Sequence, residues 1–352
     1  MNLDDTKRNM TPGTTPADER TPDGRITEFL RDSGLAAGPH DTRLTPLSGG
    51  VGSDIWKVET PARTFVVKTA LPRLRVPEIW NAPPSRNASE AEWMATAARI
   101  ERSAVPEILA RNDAAGVFAM TYFDPAEYPV WKDLLRTGHV DPGFAALTGK
   151  TVALIHAVSA RSSSIARRFA DDKAFHALRI EPYLETTARR HPDLRQTLHQ
   201  LAEDTLFTKR ALVHGDISPK NILVGPRGPV FLDAECACFG DPAFDLSFCL
   251  THLLLKCLWL PALCGLLSAS FEALAAGYLA AVNWEPPDEV EHRAARLLPA
   301  LLLARVDGKS PVEYLDTHHQ KELVRRVTRV LFASPPSRLA DVRHVWIREI
   351  TA

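Results

Sequence analysis

Two neighbouring stretches of the sequence decide the fold: Ala211-Leu-Val-His-Gly-Asp-Ile-Ser-Pro-Lys-Asn-Ile-Leu-Val224 and Val230-Phe-Leu-Asp-Ala-Glu235. In the first, an apolar strand leads into a loop that carries Asp216, and Asn221 stands where the next strand begins. In the second, a third short strand ends at Asp233. The turn sequence Pro-Arg-Gly-Pro at 226–229 predicts that the last two strands form a hairpin. Asn221 and Asp233 are therefore expected side by side at one end of this hairpin, with Asp216 facing the same space.

These three polar side chains suit phosphoryl transfer. That reaction needs one carboxylate to orient the attacking hydroxyl and accept its proton, and oxygen ligands to hold Mg²⁺ against the phosphates. Asp216 fits the first role, Asn221 and Asp233 fit the second, and Glu235 could assist them. Asp and Asn are also common in turns. Three of them on strand edges, separated by 5 and 12 residues, favour a functional site.

The same region resembles a known family. His214-Gly-Asp216 with Asn221, Asp233-x-Glu235 and Gly240-Asp-Pro-Ala-Phe-Asp245-Leu are similar to the signature of the aminoglycoside phosphotransferase-like and choline kinase-like small-molecule kinases. The strong match covers residues 211–246. The resemblance implies an α+β, bilobal protein-kinase-like fold, with a small antiparallel-sheet N-lobe and a larger, mostly helical C-lobe.

The resemblance also implies roles for individual residues. Asp216 would be the catalytic base, and Asn221 and Asp233 would be magnesium ligands. His214 would shape the catalytic loop. Asp245 would sit at the start of a helix and brace that loop through its backbone N–H groups, a role that overlaps with helix capping. Within the signature, Asp241 is interpreted as a cap or turn residue. Outside it, His156 is interpreted as a packed core histidine.

The nucleotide side of the sequence is less distinct. Glycines allow backbone N–H groups to approach phosphates closely, and the segment from Leu47 to Asp54 contains four candidates, Gly49, Gly50, Gly52 and Ser53. Ile55 stands where a third glycine would complete G-x-G-x-x-G. Lys68 ends an apolar strand 16 residues after Gly52. At that place a kinase carries the lysine that contacts the α- and β-phosphates, although a solvent-facing lysine is the alternative.

Such a lysine needs a carboxylate to position it. Glu90 and Glu92 both lie on the predicted helix 85–102, with Ser85 as its N-cap. Glu90 precedes Trp93, Met94 and Ala97 by three, four and seven positions, which places it on the packed face. We therefore predict that Glu90 pairs with Lys68, and that Glu92 is a solvated surface charge.

The adenine site is predicted at the strand 117–123. In this fold adenine pairs with backbone groups where the two lobes meet. Met120 would border the adenine pocket, and Thr121 and Phe123 would supply the backbone contacts. An ordinary buried edge strand is the alternative for each of them.

The order of elements divides the chain into two lobes. Residues 1–24 are polar and are predicted to be a disordered tail. Residues 25–123 are predicted to form the nucleotide-binding N-terminal lobe. Residues 124–352 are predicted to form a helical C-terminal lobe with the catalytic loop and the acceptor site. Strands are expected at 55–59, 63–68, 108–110 and 117–123.

Composition limits the partners. The 352 residues are 45% apolar and 24% charged, with a net charge of -1, so nothing draws the molecule toward nucleic acid or an anionic membrane. The apolar region 246–282 is interrupted by Lys256, Pro261 and Glu272, which favours buried helices over a membrane span. All five cysteines lie within 236–264, and their odd number indicates reduced thiols and a cytoplasmic location.

Two charged segments near the C-terminus have alternative interpretations. The segment from Arg305 to Pro311 could line the acceptor site, but a helix C-terminus with surface charges is favoured. The helix face made by Lys321, Arg325, Arg326 and Arg329 is predicted to be solvated. Residues 284–352 contain 10 acidic and 11 basic residues. An acidic surface for a polycationic aminoglycoside is therefore not evident, which favours a neutral or zwitterionic acceptor.

Together these features predict an ATP- and Mg²⁺-dependent kinase that phosphorylates a hydroxyl of a small molecule. A protein kinase and a catalytically inactive nucleotide-binding scaffold are the alternatives. Only the seven residues 234–240 separate Asp233 from Asp241. They contain no Ser, Thr or Tyr, and they are too few for a regulatory loop and a peptide platform.

Overall fold

The structure is a computed structural model that describes residues 21–36, 42–47, 52–71, 73–75, 80 and 82–351. Most of the predicted tail lies outside these ranges. Helix α1 (Gly24–Asp32) begins at the last residue of that tail. The side chain of Asp23 caps it by accepting a hydrogen bond from the backbone N–H of Arg25 at 2.9 Å, which satisfies one of the donors that a helix start leaves free.

A five-stranded antiparallel sheet follows, in the order β1-β2-β3-β5-β4. Its strands are β1 (Arg43–Pro46), β2 (Ser53–Glu59), β3 (Thr64–Ala70), β4 (Ile108–Asn112) and β5 (Val117–Thr121). Successive strand residues point to opposite faces. Phe65 and Val67 of β3 therefore pack with α1, whereas Val66 packs with the helix on the other face. Lys68, two residues after Val66, points to that second face.

The helix on the second face is α2 (Arg86–Ala98). Trp93 and Met94 attach it to the sheet. The predicted span 85–102 was too long, because the chain leaves the helix after Ala98 and forms a short 3-10 helix at Arg102–Ala104. Ser85 occupies the N-cap position as predicted, but its side chain makes no capping hydrogen bond.

The rest of the chain is mostly helical. Before the catalytic region it forms α3 (Trp131–Arg136), α4 (Pro142–Ala160), α5 (Ser163–Arg168), α6 (Lys173–Phe175), a π-helix (His176–Glu185), α7 (Thr186–Arg190) and α8 (Arg195–Phe207). After the catalytic region it forms α9 (Pro242–Trp259), a 3-10 helix (Pro261–Leu263), α10 (Cys264–Leu279), α11 (Pro287–Asp307), α12 (His318–Ala333) and α13 (Leu339–Thr351).

Four short strands carry the catalytic region: β6 (Ala211–Val213), β7 (Ile222–Gly225), β8 (Gly228–Phe231) and β9 (Cys238–Gly240). The predicted hairpin is confirmed, because β7 and β8 pair antiparallel from Ile222 opposite Phe231 to Gly225 opposite Gly228. Pairing of β6 with β9 was not predicted. Three of the seven residues between Asp233 and Asp241 therefore belong to strand β9.

Helices α4 and α10 pack with their backbones in close contact. A Cβ atom at Gly149 would lie 2.2 Å from the carbonyl oxygen of Leu274, and one at Gly277 would lie 2.3 Å from that of Ala146. Side chains do not fit at such distances, so both positions require glycine. The contact brings His156 of α4 to Tyr278 of α10, with 2.8 Å between Nδ1 and the hydroxyl.

Two helical segments, Pro142–Ala160 and Pro261–Leu279, are long and apolar enough to cross a membrane by length and composition. Within their most apolar windows, 61% and 39% of the residues are buried in the fold. Core helices of soluble proteins meet the same criterion, and the close packing of α4 on α10 explains the apolar composition. Helix α9, predicted as buried, is buried from Pro242 to Cys257.

Candidate active site

Asp245 fixes the catalytic loop after β6. Its carboxylate accepts hydrogen bonds from the backbone N–H of His214 at 2.7 Å and of Gly215 at 2.8 Å. His156 lies 3.2 Å from the same carboxylate and is 1% exposed. The predicted bracing contact of Asp245 and the core position of His156 are both confirmed. Asp241 caps α9 through the N–H of Ala243 at 3.0 Å, also as predicted.

His214 holds the loop in shape from inside. Its Nδ1 accepts a hydrogen bond from the backbone N–H of Asp216 at 3.1 Å, so the proton is on Nε2, which donates to the carbonyl oxygen of Leu232 at 3.1 Å. Burial lowers the pKa of His214, which keeps the ring neutral. At Gly215, φ is +80°, and a Cβ would lie 2.7 Å from that of Cys236. The loop therefore requires glycine there.

The carboxylate of Asp216 is buried between two cations. Arg179 lies 2.8 Å from it and Lys220 lies 3.2 Å from it. Arg179 comes from the π-helix and also donates to the carbonyl oxygens of Gly215 at 2.5 Å and Leu178 at 2.6 Å. Burial alone would lower the pKa of Arg179, but Asp216 outweighs it and raises that pKa. The guanidinium is therefore charged and fixes the orientation of the Asp216 carboxylate.

Lys68 connects helix α2 to the segment that follows β8. Its Nζ lies 2.7 Å from Glu90 and 2.5 Å from Asp233, and the lysine side chain is 2% exposed. The structure thus places Glu90, rather than Glu92, against Lys68. Glu92 lies on the outer side of α2 and forms ion pairs with Arg111 at 2.6 Å and Arg168 at 2.9 Å. It is a surface charge, as predicted, but a paired one.

Asn221 and Asp233 lie at the same end of the hairpin. The side-chain amide of Asn221 donates to the carbonyl oxygen of Asp216 at 3.1 Å. Asp233 lies two residues after the end of β8 and has a φ of 70°, in the left-handed region. Burial would raise the pKa of its carboxyl group, but Lys68 and then Lys220 outweigh burial and lower that pKa. The Asp233 carboxylate is therefore ionised.

These two residues fit a magnesium ion. Oδ1 of Asn221 and Oδ2 of Asp233 make no hydrogen bond within the residues that the structure describes. Both are hard oxygen donors. Mg²⁺ typically takes one or two protein oxygens of this kind and completes its shell with phosphate and water oxygens.

Four residues before and at the start of β2 were predicted to approach the phosphates: Gly49, Gly50, Gly52 and Ser53. Gly49 and Gly50 lie outside the described residues. Gly52 and Ser53 lie at the start of β2 and line the same cavity as Asp216 and Asp233.

Arg86, which the sequence did not point to, connects this segment to Glu235, two residues after Asp233. It is 1% exposed. It donates to the carbonyl oxygens of Gly52 at 2.5 Å and Leu71 at 2.7 Å, and to the carboxylate of Glu235 at 2.8 Å. Glu235 is thus held by an arginine, whereas the sequence suggested that it could assist the metal ligands.

The predicted adenine segment is at the end of β5. Met120 is 8% exposed. The backbone N–H of Thr121 donates to the carbonyl oxygen of Glu107 at 3.0 Å, so it is not available to a nucleotide. The Phe123 ring packs on Tyr128, with 4.5 Å between centroids. No backbone hydrogen bond of Phe123 occurs within the described ranges. The roles of these three residues toward adenine stay predictions.

A cavity of about 80 Å³ connects the catalytic groups to the helical lobe. Its catalytic end contains Gly52, Ser53, Asp216, Lys220, Asp233 and Glu235. Arg179 reaches the catalytic end from the helical lobe through its contact with Asp216. The remaining lining residues belong to the helical lobe and the β3–α2 connection and form what we call the helical end: Leu74, Trp80, Leu178, Tyr183, Phe248, His252, Arg305 and Ser310.

Arg305 corrects a prediction. Helix α11 does end at Asp307, followed by Gly308, but Arg305 is not a surface charge. It is 8% exposed and lines the cavity, because the last turn of α11 faces Tyr183 of the π-helix. Asp307 binds Arg325 at 2.5 Å and His191 at 2.9 Å.

The basic face of α12 is solvated, as predicted, at Arg326 and Arg329, which are exposed. Its arginines also form ion pairs. Arg325 pairs with Asp307, Arg329 lies 3.3 Å from Asp193, and Arg326 lies 3.7 Å from Glu349. These three arginines therefore connect α12 to neighbouring segments while part of the face stays in contact with solvent.

Known proteins resemble this chain in sequence and in fold. A family model described as the phosphotransferase enzyme family matches residues 43–276. Methylthioribose kinase from Yersinia pseudotuberculosis serotype O:3 (strain YPIII) is 25% identical over 271 residues, covering 68% of this chain. The same enzyme from Pectobacterium carotovorum is 28% identical over 237 residues, covering 59%. The chain spans 65% and 58% of the lengths of these two relatives.

Two solved structures share the fold. Plasmodium vivax ethanolamine kinase superposes with a TM-score of 0.55 at 12% identity, over 88% of each chain. Choline kinase from Cryptosporidium parvum Iowa II has a TM-score of 0.53 at 10% identity, over 88% of this chain and 96% of its own. The predicted bilobal, protein-kinase-like fold is confirmed. Because the family model matches more than half of its residues, the chain belongs to the phosphotransferase enzyme family.

Proposed function

We propose that this protein is an ATP- and Mg²⁺-dependent kinase that moves the γ-phosphoryl group to a hydroxyl of a small molecule. The observation that carries the proposal is that Asp216 and Asp233 line one cavity, and that the Lys68–Glu90 pair is joined to it through Asp233. Phosphoryl transfer depends mostly on positioning and electrostatic stabilisation. Each of these groups is held by a buried ion pair.

On the acceptor side, Asp216 orients the hydroxyl and Arg179 orients Asp216. As the acceptor oxygen forms its bond to the γ-phosphorus, the bond from that phosphorus to the β,γ-bridging oxygen breaks. ADP leaves, and the hydroxyl proton passes to Asp216. Lys220, 3.2 Å from the Asp216 carboxylate, adds positive charge beside the group in transfer.

On the nucleotide side, Glu90 directs Lys68 toward the phosphates, and Gly52 and Ser53 border them. Asn221 and Asp233 would hold Mg²⁺, which neutralises phosphate charge when bound. Lys68 and Asp233 lie 2.5 Å apart, so the lysine and the metal ligand are already adjacent at the place where both meet the phosphates. Met120, Thr121 and Phe123 would border adenine.

The short connection after Asp233 favours a small acceptor over a peptide. Residues 238–240 pair with β6, and α9 begins at Pro242. No long segment is left between Asp233 and α9 to present a peptide. The named relatives are kinases of small molecules, methylthioribose and ethanolamine among them. We also propose that the protein acts in the cytoplasm without nucleic acid or membrane partners.

A panel assay tests the proposal. Purified protein with ATP and Mg²⁺ should release ADP faster when the true acceptor is added from a panel of hydroxylated metabolites and antibiotics. Robust phosphorylation of peptides without small-molecule activity would favour a protein kinase. ATP binding without turnover across all these classes would favour an inactive scaffold.

A further inference from the structure

The helical end of the cavity contains a buried arginine without an acidic partner. Nη1 of Arg305 lies 2.9 Å from the Tyr183 hydroxyl and 3.2 Å from the Ser310 hydroxyl, and it also donates to the Ser310 carbonyl oxygen. Nε is buried and has no hydrogen-bond partner in the described part of the chain. Nη2 makes no hydrogen bond there either. A guanidinium that is 8% exposed normally pairs with a carboxylate.

Two further basic side chains close to Arg305 form no ion pair among the described residues. His252 lines the cavity, and its Nε2 is buried without a hydrogen bond to any described residue. Lys256, one helical turn along α9, is 1% exposed. Its Nζ lies 4.3 Å from the Tyr314 ring centroid and 5.0 Å from that of Trp259. Burial lowers the pKa of both groups, and Arg305 is among the nearby cations that lower them further.

The nearby carboxylates are all engaged elsewhere. Glu313 pairs with Lys132, and Asp307 pairs with Arg325 and His191. Glu181 pairs with Arg189 at 2.5 Å. At the catalytic end, the carboxylates that line the cavity, Asp216, Asp233 and Glu235, each have a cation within 2.8 Å. Among the described residues, Arg305 forms no ion pair, and Glu313, whose pKa its charge helps to lower, is paired with Lys132.

We propose that Arg305 binds an anionic group of the acceptor, a carboxylate or a phosphate, so that the acceptor is a hydroxylated acid rather than an amine or a neutral sugar. This inference rests on the proposed kinase function and names the substrate class of the same site. Arg305 lies on the acceptor side, because Arg179 and Tyr183 stand between it and Asp216. The guanidinium of Arg179 contacts Asp216 and lies 5.9 Å from the Tyr183 ring centroid, and that of Arg305 lies 5.5 Å from it.

The charge of Arg305 also disfavours a cationic acceptor. A cation in the cavity would meet the like charge of Arg305, whereas an anion would be attracted by it. Outside the lining residues, Trp259 and Tyr314 stack with 4.8 Å between their centroids, and Lys256 of the protein lies over both rings. That aromatic pair therefore already has a cation.

The first experiment compares acceptors that differ only in charge. ADP release is measured with glycerate against glycerol, gluconate against glucose, and ribose 5-phosphate against ribose, with an aminoglycoside as the cationic member. We expect faster ADP release with the acid of a pair than with its neutral partner. The carboxylates and the phosphate ester separate the two kinds of anion. If the neutral or cationic compounds stimulate ADP release best, the inference fails while the kinase function stands.

The second experiment removes the charge. Arg305→Met should raise the KM for the acid by about ten- to a hundredfold, the usual effect of losing a charged hydrogen bond, and leave the KM for ATP within about twofold. Arg305→Lys should retain part of the affinity. Arg296→Met, on the exposed side of the same helix, is the matched control. An acid KM that is unchanged in Arg305→Met would overturn the inference.

A binding measurement does not depend on turnover. Thermal unfolding with ADP and Mg²⁺ is followed while glycerate, gluconate or ribose 5-phosphate is titrated against its neutral partner. The acids should stabilise the wild type and Arg305→Lys more than the neutral compounds do, and this difference should vanish in Arg305→Met. Equal stabilisation by acid and neutral compounds would reject the inference. Absence of any ATP or ADP binding would instead contradict the kinase function.

Discussion

The two ends of the cavity differ in how their charges are balanced. At the catalytic end, cations and carboxylates alternate: Arg179 with Asp216, Lys68 with Glu90 and Asp233, and Arg86 with Glu235. At the helical end, Arg305 and the neutral His252 line the cavity without an ion pair among the described residues, and Lys256 lies close to both.

The difference separates two tasks. Catalytic groups must stay in one geometry through each turnover, and buried ion pairs hold them there without a ligand. A recognition site gains affinity when the ligand supplies the missing charge, because a buried unpaired cation is costly until it is compensated. The ion pairs therefore pre-organise the catalytic end, whereas the helical end has an uncompensated charge that the proposed anionic acceptor would complete.

The largest expected effect tests the catalytic end. Asp216→Asn keeps the shape of the side chain but removes the proton acceptor and the negative charge that pairs with Arg179. We expect kcat to fall by about 10²–10⁴-fold with little change in ATP affinity. Stopped-time ADP assays and nucleotide titration measure both quantities. A variant that retains more than about a tenth of the wild-type kcat would remove Asp216 from this role.

The next effect concerns Asp233, the proposed metal ligand. Asp233→Asn is preferable to Asp233→Ala, because asparagine tolerates the left-handed conformation that Asp233 adopts at φ 70°. The Mg²⁺ concentration for half-maximal rate should rise by about tenfold or more, since one charged oxygen ligand is lost. Mg²⁺ is titrated at saturating ATP. An unchanged titration curve would show that Asp233 does not bind the metal.

A smaller effect separates two glutamates on one helix. Glu90→Gln leaves the buried Lys68 with a weaker partner, so the KM for ATP should rise by about tenfold. Glu92→Gln breaks only surface ion pairs and should change the KM by less than about twofold. If the two variants behave alike, Lys68 does not depend on Glu90 for its function.

The smallest effect is expected at Lys256, where burial destabilises the charged form of the side chain. This prediction concerns stability rather than catalysis. Burial lowers the pKa of Lys256 from 10.5 to about 7 in the folded protein. Between those pH values the unfolded chain binds more protons than the folded one, so the stability of the wild type should rise with pH in this window. Lys256→Met lacks this dependence.

The difference in unfolding temperature between wild type and Lys256→Met, taken as wild type minus variant, should therefore increase by a few degrees from pH 7 to pH 9.5. Thermal unfolding followed by circular dichroism at the two pH values measures it. Parallel behaviour of the two proteins would mean that Lys256 titrates normally in the folded state.

The sequence predicted the elements whose pattern is local. The β7–β8 hairpin and the packed face of α2 follow from turn residues and helical spacing, whereas the position of Asp245 was implied by the family resemblance. Strand alternation places Lys68 on the face of α2, and helical spacing places Glu90 there as well.

Long-range partners were not predictable from these patterns. Arg179 lies in the π-helix, and its contact with Asp216 depends on a segment 37 residues away in the chain. Arg86 looks like an ordinary first-turn residue of α2 until its contacts with Gly52 and Glu235 are seen. Arg305 was assigned to the surface because a charged residue near a helix end usually lies there. Single-residue propensities contain no information about which distant backbone or side chain a buried arginine meets.

The glycine contact between α4 and α10 has a genetic consequence. It sets the position of His156 and Tyr278, and His156 contacts the Asp245 carboxylate that holds the catalytic loop. In an unbiased selection for loss of phosphotransfer, alanine at Gly149 or Gly277 should be recovered together with changes at Asp216, although neither glycine lines the cavity. Inactivating substitutions would therefore be found at the α4–α10 contact as well as in the catalytic loop.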